Sequence, residues 1–372
     1  MTHQIRTPLF KVFQPEGVDI ALRDTLYSGF VAEGPQTAEF ARQIAQFIGN
    51  PRAVAVNSCT TALSIAYRLA DVGPGAEVIA TPLTCIASNE PIVQLGGEVV
   101  WADVDPCTGM ITADTIAPLI TPRTKAILVL HKEGDLARLA EIIDLARRHD
   151  IKVVEDAAHA FGAKYRGIRL GNHGDFVCFS FQAIKHINTG DGGALLCRDQ
   201  EHYVRARRLK WFGVDREARP VGTTFLNDVP DIVEWGFKGN MNDIAATIGI
   251  EQMKQVDWVL RCFRGNGMAY GQLLAGVPGV TLIPRSPEDE ATYWAYCFLV
   301  ENRSGLIRKL AEHGIGAGQI HERNDTYTMF RCSRRELPGV DHFDRRELSI
   351  PCGWWVTGEE RERIAHVVKS GW

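Results

Sequence analysis

Lys185 lies between two apolar runs in CFSFQAIKHINTGDGGALLC, residues 178–197. A lysine so placed is either paired or used for its chemistry. At pH 7 an ordinary lysine, with a pKa of about 10.4, needs on the order of 4–5 kcal/mol to reach its neutral, nucleophilic form. Desolvation and neighbouring positive charge reduce that cost. Imine formation with an aldehyde takes the amine out of ordinary titration. A half-buried lysine beside a glycine turn suits that role, although a surface lysine in a hairpin loop has the same spacing. Asp156 ends the apolar run IKVVED, with His159 shortly after it in AAHA. A carboxyl there can face a ligand at a strand end or cap the turn that follows. In VNSCTTAL, residues 56–63, small residues lead from a strand into a helix. Ser58, Cys59, Thr60 and Thr61 leave the first backbone N–H groups of that helix open to an anion such as phosphate. A capped helix without a ligand has the same pattern, and the turn lacks the lysine of a P-loop. Ser180 sits near the end of the strand-like run before Lys185.

Each feature alone has a plain structural explanation. Together they match one cofactor, pyridoxal 5'-phosphate. Its phosphate needs an anion site, its pyridine nitrogen a carboxylate that keeps it protonated, and its aldehyde a lysine for the Schiff base.

The surrounding pattern says what positions these groups. From about residue 50 onward, strand-like pieces (RAVAVNS, AEVIATPL, EVVWADVD, KAILVLH, IKVVEDAA) alternate with helical ones (CTTALSIAYRLADVG, CIASNEPIVQLG, DLARLAEIIDLARRHD). The strands are continuous apolar runs, as expected of a mostly parallel sheet covered on both faces by crossover helices. The expected fold class is α/β. Residues 1–250 form a large cofactor-binding domain with an N-terminal helical segment. Residues 251–372 form a connecting helix and a smaller α/β domain. The stretch AATIGIEQMKQVDWVLRCFRGNGMAYGQLLAG reads as one connecting helix, and GEERERIAHVVKSGW as a last amphipathic helix. In such sheets ligands bind at the carboxyl ends of the strands, where Asp156 and Ser180 fall.

With 372 residues, 45% hydrophobic and 23% charged, the chain can bury a large core and a smaller one. A net charge of -4 gives no basic excess for nucleic acid. No apolar run is long enough to cross a membrane, and the start, MTHQIRTPLFKVFQ, lacks the apolar centre of a secretory leader. The nine cysteines form no C-x-x-C pair and read as reduced thiols of a cytoplasmic protein. There is no H-E-x-x-H, and a metal site is not expected.

At these residues the chain resembles the pyridoxal-phosphate-dependent sugar aminotransferases of the DegT/DnrJ/EryC1/StrS family, which have fold type I. The motifs are LYSGFVAEGPQTAEFA (26–41), VNSCTTAL, DVDPCTGMI (103–111), VVEDAAHAFGAKYRGIRLGNHGD (153–175), FSFQAIKHINTGDGGAL (179–195), GFKGNMNDIAATIG (236–249) and PCGWWVT (351–357). The resemblance implies that Lys185 is the Schiff-base lysine and Asp156 the partner of the pyridinium nitrogen. His159 falls near the cofactor's phenolic oxygen. Ser180, Thr60 and the backbone at Cys59 would bind the phosphate beside Ser58. Cys85 stands where many members stack an aromatic ring. Lys238 stands where an asparagine reaches the partner subunit's phosphate, so a homodimer with shared active sites is implied. The loop LHKEGDLARL (130–139) is shorter than usual for the family.

The implied reaction moves an amino group from an amino acid, glutamate by analogy, to a nucleotide-linked keto sugar, with pyridoxamine 5'-phosphate as the intermediate cofactor form. Arg216, His321 and Arg323 are candidates to meet the sugar nucleotide's diphosphate, though charged loop residues facing solvent would look the same. Two rivals share the fold. One is a sugar dehydratase, a branch in which histidine replaces the lysine; the other is a regulatory homologue without catalysis. Intact Lys185 speaks against both.

Overall fold

The computed structural model describes residues 5–216 and 231–372. The central sheet has seven strands: β1 (Ala53–Val56), β2 (Glu77–Ala80), β3 (Glu98–Trp101), β4 (Thr124–Leu130), β5 (Lys152–Asp156), and, after a short hairpin of β6 (Lys164–Tyr165) and β7 (Ile168–Arg169), β8 (Phe176–Ser180) and β9 (Gly193–Cys197). Their order is β1-β9-β8-β5-β4-β2-β3. The pairs β3/β2, β2/β4, β4/β5 and β5/β8 are parallel. Strand β9 runs antiparallel to both β8 and β1. The sheet is therefore mostly parallel, as the apolar runs predict. The exception follows from the turn after Lys185, which sends the chain straight back beside β8 instead of through a crossover helix.

Helices Cys59–Leu69, Ile86–Gln94 and Leu139–Arg148 lie between successive strands. Together with the sheet they bury one apolar core, including Tyr67, Trp101, Ile127, Val154, Phe179 and Leu195. A second core, with Tyr270, Tyr296, Phe298, Leu306, Leu348 and Ile364, belongs to the C-terminal third. There β10 (Val280–Leu282), β11 (Tyr296–Val300) and β12 (Glu347–Ile350) form an antiparallel sheet beside helices Val256–Leu273, Arg303–Glu312 and Gly358–Lys369. The expected single connecting helix is two, Asp243–Met253 and Val256–Leu273. Gln255 leaves the helical region at φ -110°, ψ 1°, and its N–H turns back to the Gln252 carbonyl. No proline or glycine marks that break.

Register brings the chemistry to one edge. Gly193 pairs with both Val56 and Ser180, and Asp156 pairs with Cys178, two residues before Ser180. The end of β1, where the helix Cys59–Leu69 starts, thus lies across β9 from Ser180. The approach is close: a Cβ at Gly193 would come 2.5 Å from the Ser58 carbonyl carbon and 2.6 Å from the Cys59 nitrogen. Gly193→Ala should destabilise the fold by about 1–3 kcal/mol through overpacking. The urea midpoint reads this directly, and an unchanged midpoint would contradict the contact.

Candidate active site

A cavity of about 400 Å³ opens at the carboxyl ends of β1, β5 and β8. Its lining includes Ser58, Cys59, Thr60, Cys85, Asp156, His159, Ser180, Lys185, Trp294 and His321.

One end of the cavity is built by the start of the helix Cys59–Leu69. Ser58 is its N-cap, in extended conformation, and the Ser58 hydroxyl accepts the Thr61 N–H at 3.1 Å. That contact satisfies Thr61. The N–H groups of Cys59 and Thr60 have no carbonyl one turn back to bond, and they stand at the cavity with the Thr60 hydroxyl. Ser180 closes this end from β8.

The acid is held from two sides. One oxygen of Asp156 accepts the Ser88 hydroxyl at 2.6 Å, and the other accepts the Ala158 N–H at 3.0 Å. Ser88 is itself placed by Thr84, 2.8 Å away, and its carbonyl accepts the Tyr67 hydroxyl. Asp156 does not cap a helix; it starts a tight turn with its carboxylate at the cavity wall.

Lys185 rests on an indole face, its Nζ 3.7 Å from the Trp294 ring centroid. Burial pulls its ammonium down to about 8, against the opposing pull of Asp156 and Glu133. The neutral amine is therefore accessible near neutral pH. Capture of pyridoxal phosphate by the apoprotein should accelerate as pH rises through about 8 and level off above it. A rate that keeps climbing toward the ordinary lysine value of about 10.4 would show that burial does not tune this amine. Stopped-flow absorbance resolves the two profiles.

His159 lies flat against Trp294, with ring centroids 3.9 Å apart and planes 15° apart, and against His321 at 5.6 Å and 7°. Burial, with Lys185 and His321 close by, holds His159 neutral, well below the usual histidine range. Burial beside Lys132 and Lys185 takes His321 down to about 3. Phe10 stacks on Trp294 at 4.4 Å. Aromatic surface thus enters the cavity from the N-terminal segment and from the chain just before β11. Cys85, where an aromatic ring was the alternative, caps the helix Ile86–Gln94 and lines the cavity as a free thiol.

The other sequence candidates lie outside this cavity. Lys238 is exposed, over the Trp211 ring at 3.7 Å and bonded to Asn240 at 2.6 Å. Arg216 pairs with Glu33 at 2.8 Å, and Arg323 with Asp325 and Asp341. Residues 217–220 of the loop proposed to meet the diphosphate lie outside the described residues. Sequence reasoning gave no role to Ser88, Trp294 or Glu133. Ser88 sits inside an ordinary helix and Trp294 before an apolar strand, so neither has a local signal; only the tertiary fold brings them to Asp156 and Lys185. Among the described residues no group of side chains could hold a metal ion, and the eight cysteines whose side chains are described are free.

The residues fit pyridoxal phosphate: an amine with lowered pKa, a fixed carboxylate and an open helix N-terminus on one cavity. The fold is the type I fold of the transferases that use this cofactor. The sugar aminotransferase CalS13 from Micromonospora echinospora superposes with a TM-score of 0.94 at 36% identity, covering 98% of this chain and 100% of that one. A putative sugar aminotransferase from Streptococcus pneumoniae, Spr1654, solved in its PMP form, superposes at 0.91 with 26% identity and 98% of both chains covered. A UDP-4-amino-4-deoxy-L-arabinose–oxoglutarate aminotransferase of Shewanella sediminis is 33% identical over 94% of each chain. The model of the DegT/DnrJ/EryC1/StrS aminotransferase family matches residues 16–369, and the chain belongs to that family.

Proposed function

We propose that the protein transfers an amino group from an amino acid to a nucleotide-linked keto sugar, with pyridoxal phosphate held in the cavity described above. The observation that carries this reading is the convergence of Lys185, Asp156, Ser180 and the helix start at Ser58–Thr60 on one cavity at the sheet's carboxyl edge. Membership of an aminotransferase family and the sugar-linked relatives support it.

The cofactor supplies an aldehyde that exchanges amines and a protonated ring that draws electrons from the bond being broken. With the cofactor bound, Lys185 Nζ would hold that aldehyde and, once released by the donor amine, would move a proton as general base and acid. Its position on Trp294 holds the amine in the dry part of the cavity. Asp156, held by Ser88 and the Ala158 N–H, accepts the ring N–H and keeps it protonated, a charge pair that persists only where water is excluded. The N–H groups of Cys59 and Thr60, with the Thr60 and Ser180 hydroxyls, would hold the phosphate. His159 and Trp294, stacked on each other, would line the cavity beside the cofactor. His321, parallel to His159 and lining the same cavity, is the candidate to meet the sugar nucleotide.

Glutamate is the proposed donor. The Shewanella relative's name includes oxoglutarate, the keto acid glutamate would leave. Incubating the purified protein with glutamate and a panel of nucleotide keto sugars, with products detected by mass, tests the reading. An aminated sugar with matching oxoglutarate supports transamination. Loss of a sugar hydroxyl without nitrogen gain would support the dehydratase rival instead. No product from any member, with the cofactor bound, would support a non-catalytic homologue.

The proposal includes a large cofactor domain over 1–250, a smaller domain over 251–372, and a cytoplasmic homodimer. Among the described residues no helix is long and apolar enough to cross a membrane. Around the helix Val18–Tyr27, Ile20, Leu26, Tyr27 and Phe30 are exposed, an apolar surface that a second copy would cover. In that dimer Lys238, free of the cavity in its own chain, reaches the phosphate of the other. Lys238→Ala should raise the cofactor dissociation constant about tenfold, the order of a charge-assisted hydrogen bond. An unchanged constant by equilibrium dialysis would remove Lys238 from the site. Arg216 and Arg323 would have to exchange their carboxylate partners to meet a diphosphate.

A further inference from the structure

The short turn Lys132–Gly134 carries an expensive arrangement beside the cavity. Glu133 is in the left-handed region, at φ 52°, ψ 16°, where side-chain-bearing residues are uncommon. Its residue is only 2% exposed. Lys132, also buried, binds Glu347 at 2.9 Å and lies 3.4 Å from the other oxygen of Glu133, Oε1. Among the described residues that leaves Glu133 Oε2 without a hydrogen bond. The buried Nδ1 of His159 is likewise unpartnered, and the two atoms are 3.5 Å apart. The turn cannot drift away. Thr292 donates its N–H to the Gly134 carbonyl and its hydroxyl to the His159 carbonyl, tying both segments to one residue. A Cβ at Gly134 would strike the Tyr293 nitrogen at 2.7 Å.

We infer that Glu133 is a positioning residue for His159: its carboxylate takes the Nδ1–H, fixing the tautomer that leaves Nε2 as an acceptor at the cavity. Which imidazole nitrogen carries the proton is set by the bond the other atoms offer it, and an unpaired buried carboxylate oxygen is costly enough to hold that proton. The separation of 3.5 Å closes to a hydrogen bond with a small rotation of either side chain. The groups facing His159 from the rest of the fold are Lys185, His321, Lys132 and His186. The lysines oppose a second proton on the ring, so the dyad acts on the neutral ring and sets orientation, not charge. Nε2 then receives a hydrogen bond from an N–H or O–H group of whatever fills the cavity.

This deepens the aminotransferase reading, but its test is made on the protein alone and can fail without it. Nitrogen-15 spectra of histidine-labelled apoprotein, with the His159 signals assigned by their loss in His159→Gln, report the tautomer. The wild type should show a protonated Nδ1 and a bare Nε2. Glu133→Leu should lose that pattern, with Nε2 taking the proton in at least part of the molecules. Glu133→Gln keeps a carbonyl acceptor and should restore the wild-type pattern. In the loaded enzyme, kcat should fall about tenfold or more in Glu133→Leu and recover in Glu133→Gln. A protonated Nε2 in the wild type overturns the assignment. So does an unchanged tautomer in a folded Glu133→Leu, which would leave Glu133 only a packing role.

Discussion

Lys185→Ala is expected to abolish transamination, lowering kcat by about four orders of magnitude, the upper range for losing a positioned acid–base group. The chemistry loses both a covalent anchor and a proton carrier, so no other lysine in the fold can substitute. Lys132 is buried nearby, but Glu347 and Glu133 hold it and raise its pKa far above that of an ordinary lysine. An amine kept so firmly protonated is a poor nucleophile. The variant should still fold, since among the described residues Lys185 makes no salt bridge, and Asp156 keeps its bonds from Ser88 and the Ala158 N–H. Cofactor affinity falls but is not lost, because the phosphate end at Ser58–Thr60 is untouched. Single-turnover assays and fluorescence titration separate the two effects. Retention of more than a hundredth of the activity would show that the proton is carried elsewhere.

Asp156→Asn should leave the same shape and remove the charge. The asparagine oxygen can still accept the Ala158 N–H, while its amide nitrogen donates to the Ser88 hydroxyl oxygen in place of the bond Ser88 gave the carboxylate, so stability measured by urea unfolding should change little. The ring N–H of the cofactor loses its anionic partner in a dry site. Breaking such a buried pair costs about 3–5 kcal/mol, which corresponds to roughly a hundredfold to several thousandfold in kcat. A rise in KM with kcat unchanged would instead place Asp156 among groups that bind ground state and transition state alike. Ser88→Ala should show the same direction with smaller size, because it frees the carboxylate without discharging it.

The large features of the fold were legible because they follow from continuous patterns. Uniformly apolar strands between amphipathic helices imply a covered parallel sheet, and the positions of Asp156 and Ser180 at strand ends follow from it. The glycine turn after Lys185 announced a sharp reversal; that β9 then pairs with β1, setting Gly193 against Ser58, depends on register that no local pattern encodes. The break at Gln255 was invisible because neither side carries a helix-ending residue. The site divides in the same way. Residues on strand ends and helix starts, such as Asp156, Ser180 and Thr60, carry a signal in their own segment. Trp294 and Ser88 do not, because their roles exist only after the C-terminal segment and the helix Ile86–Gln94 fold against the sheet. Glu133 was visible as part of an unusually short loop, but its strained backbone and its approach to His159 come from the docking of that loop on Thr292.

The central claim is that one amine, on Lys185, forms the bond to the cofactor. Reducing the pyridoxal-phosphate-loaded protein with borohydride, digesting it and locating the pyridoxyl group by mass spectrometry tests this most directly. The account predicts a single modified peptide carrying the group on Lys185, absent from Lys185→Ala. A group found on Lys132, Lys210 or Lys238, or no modified peptide from a protein that has bound the cofactor, would contradict it.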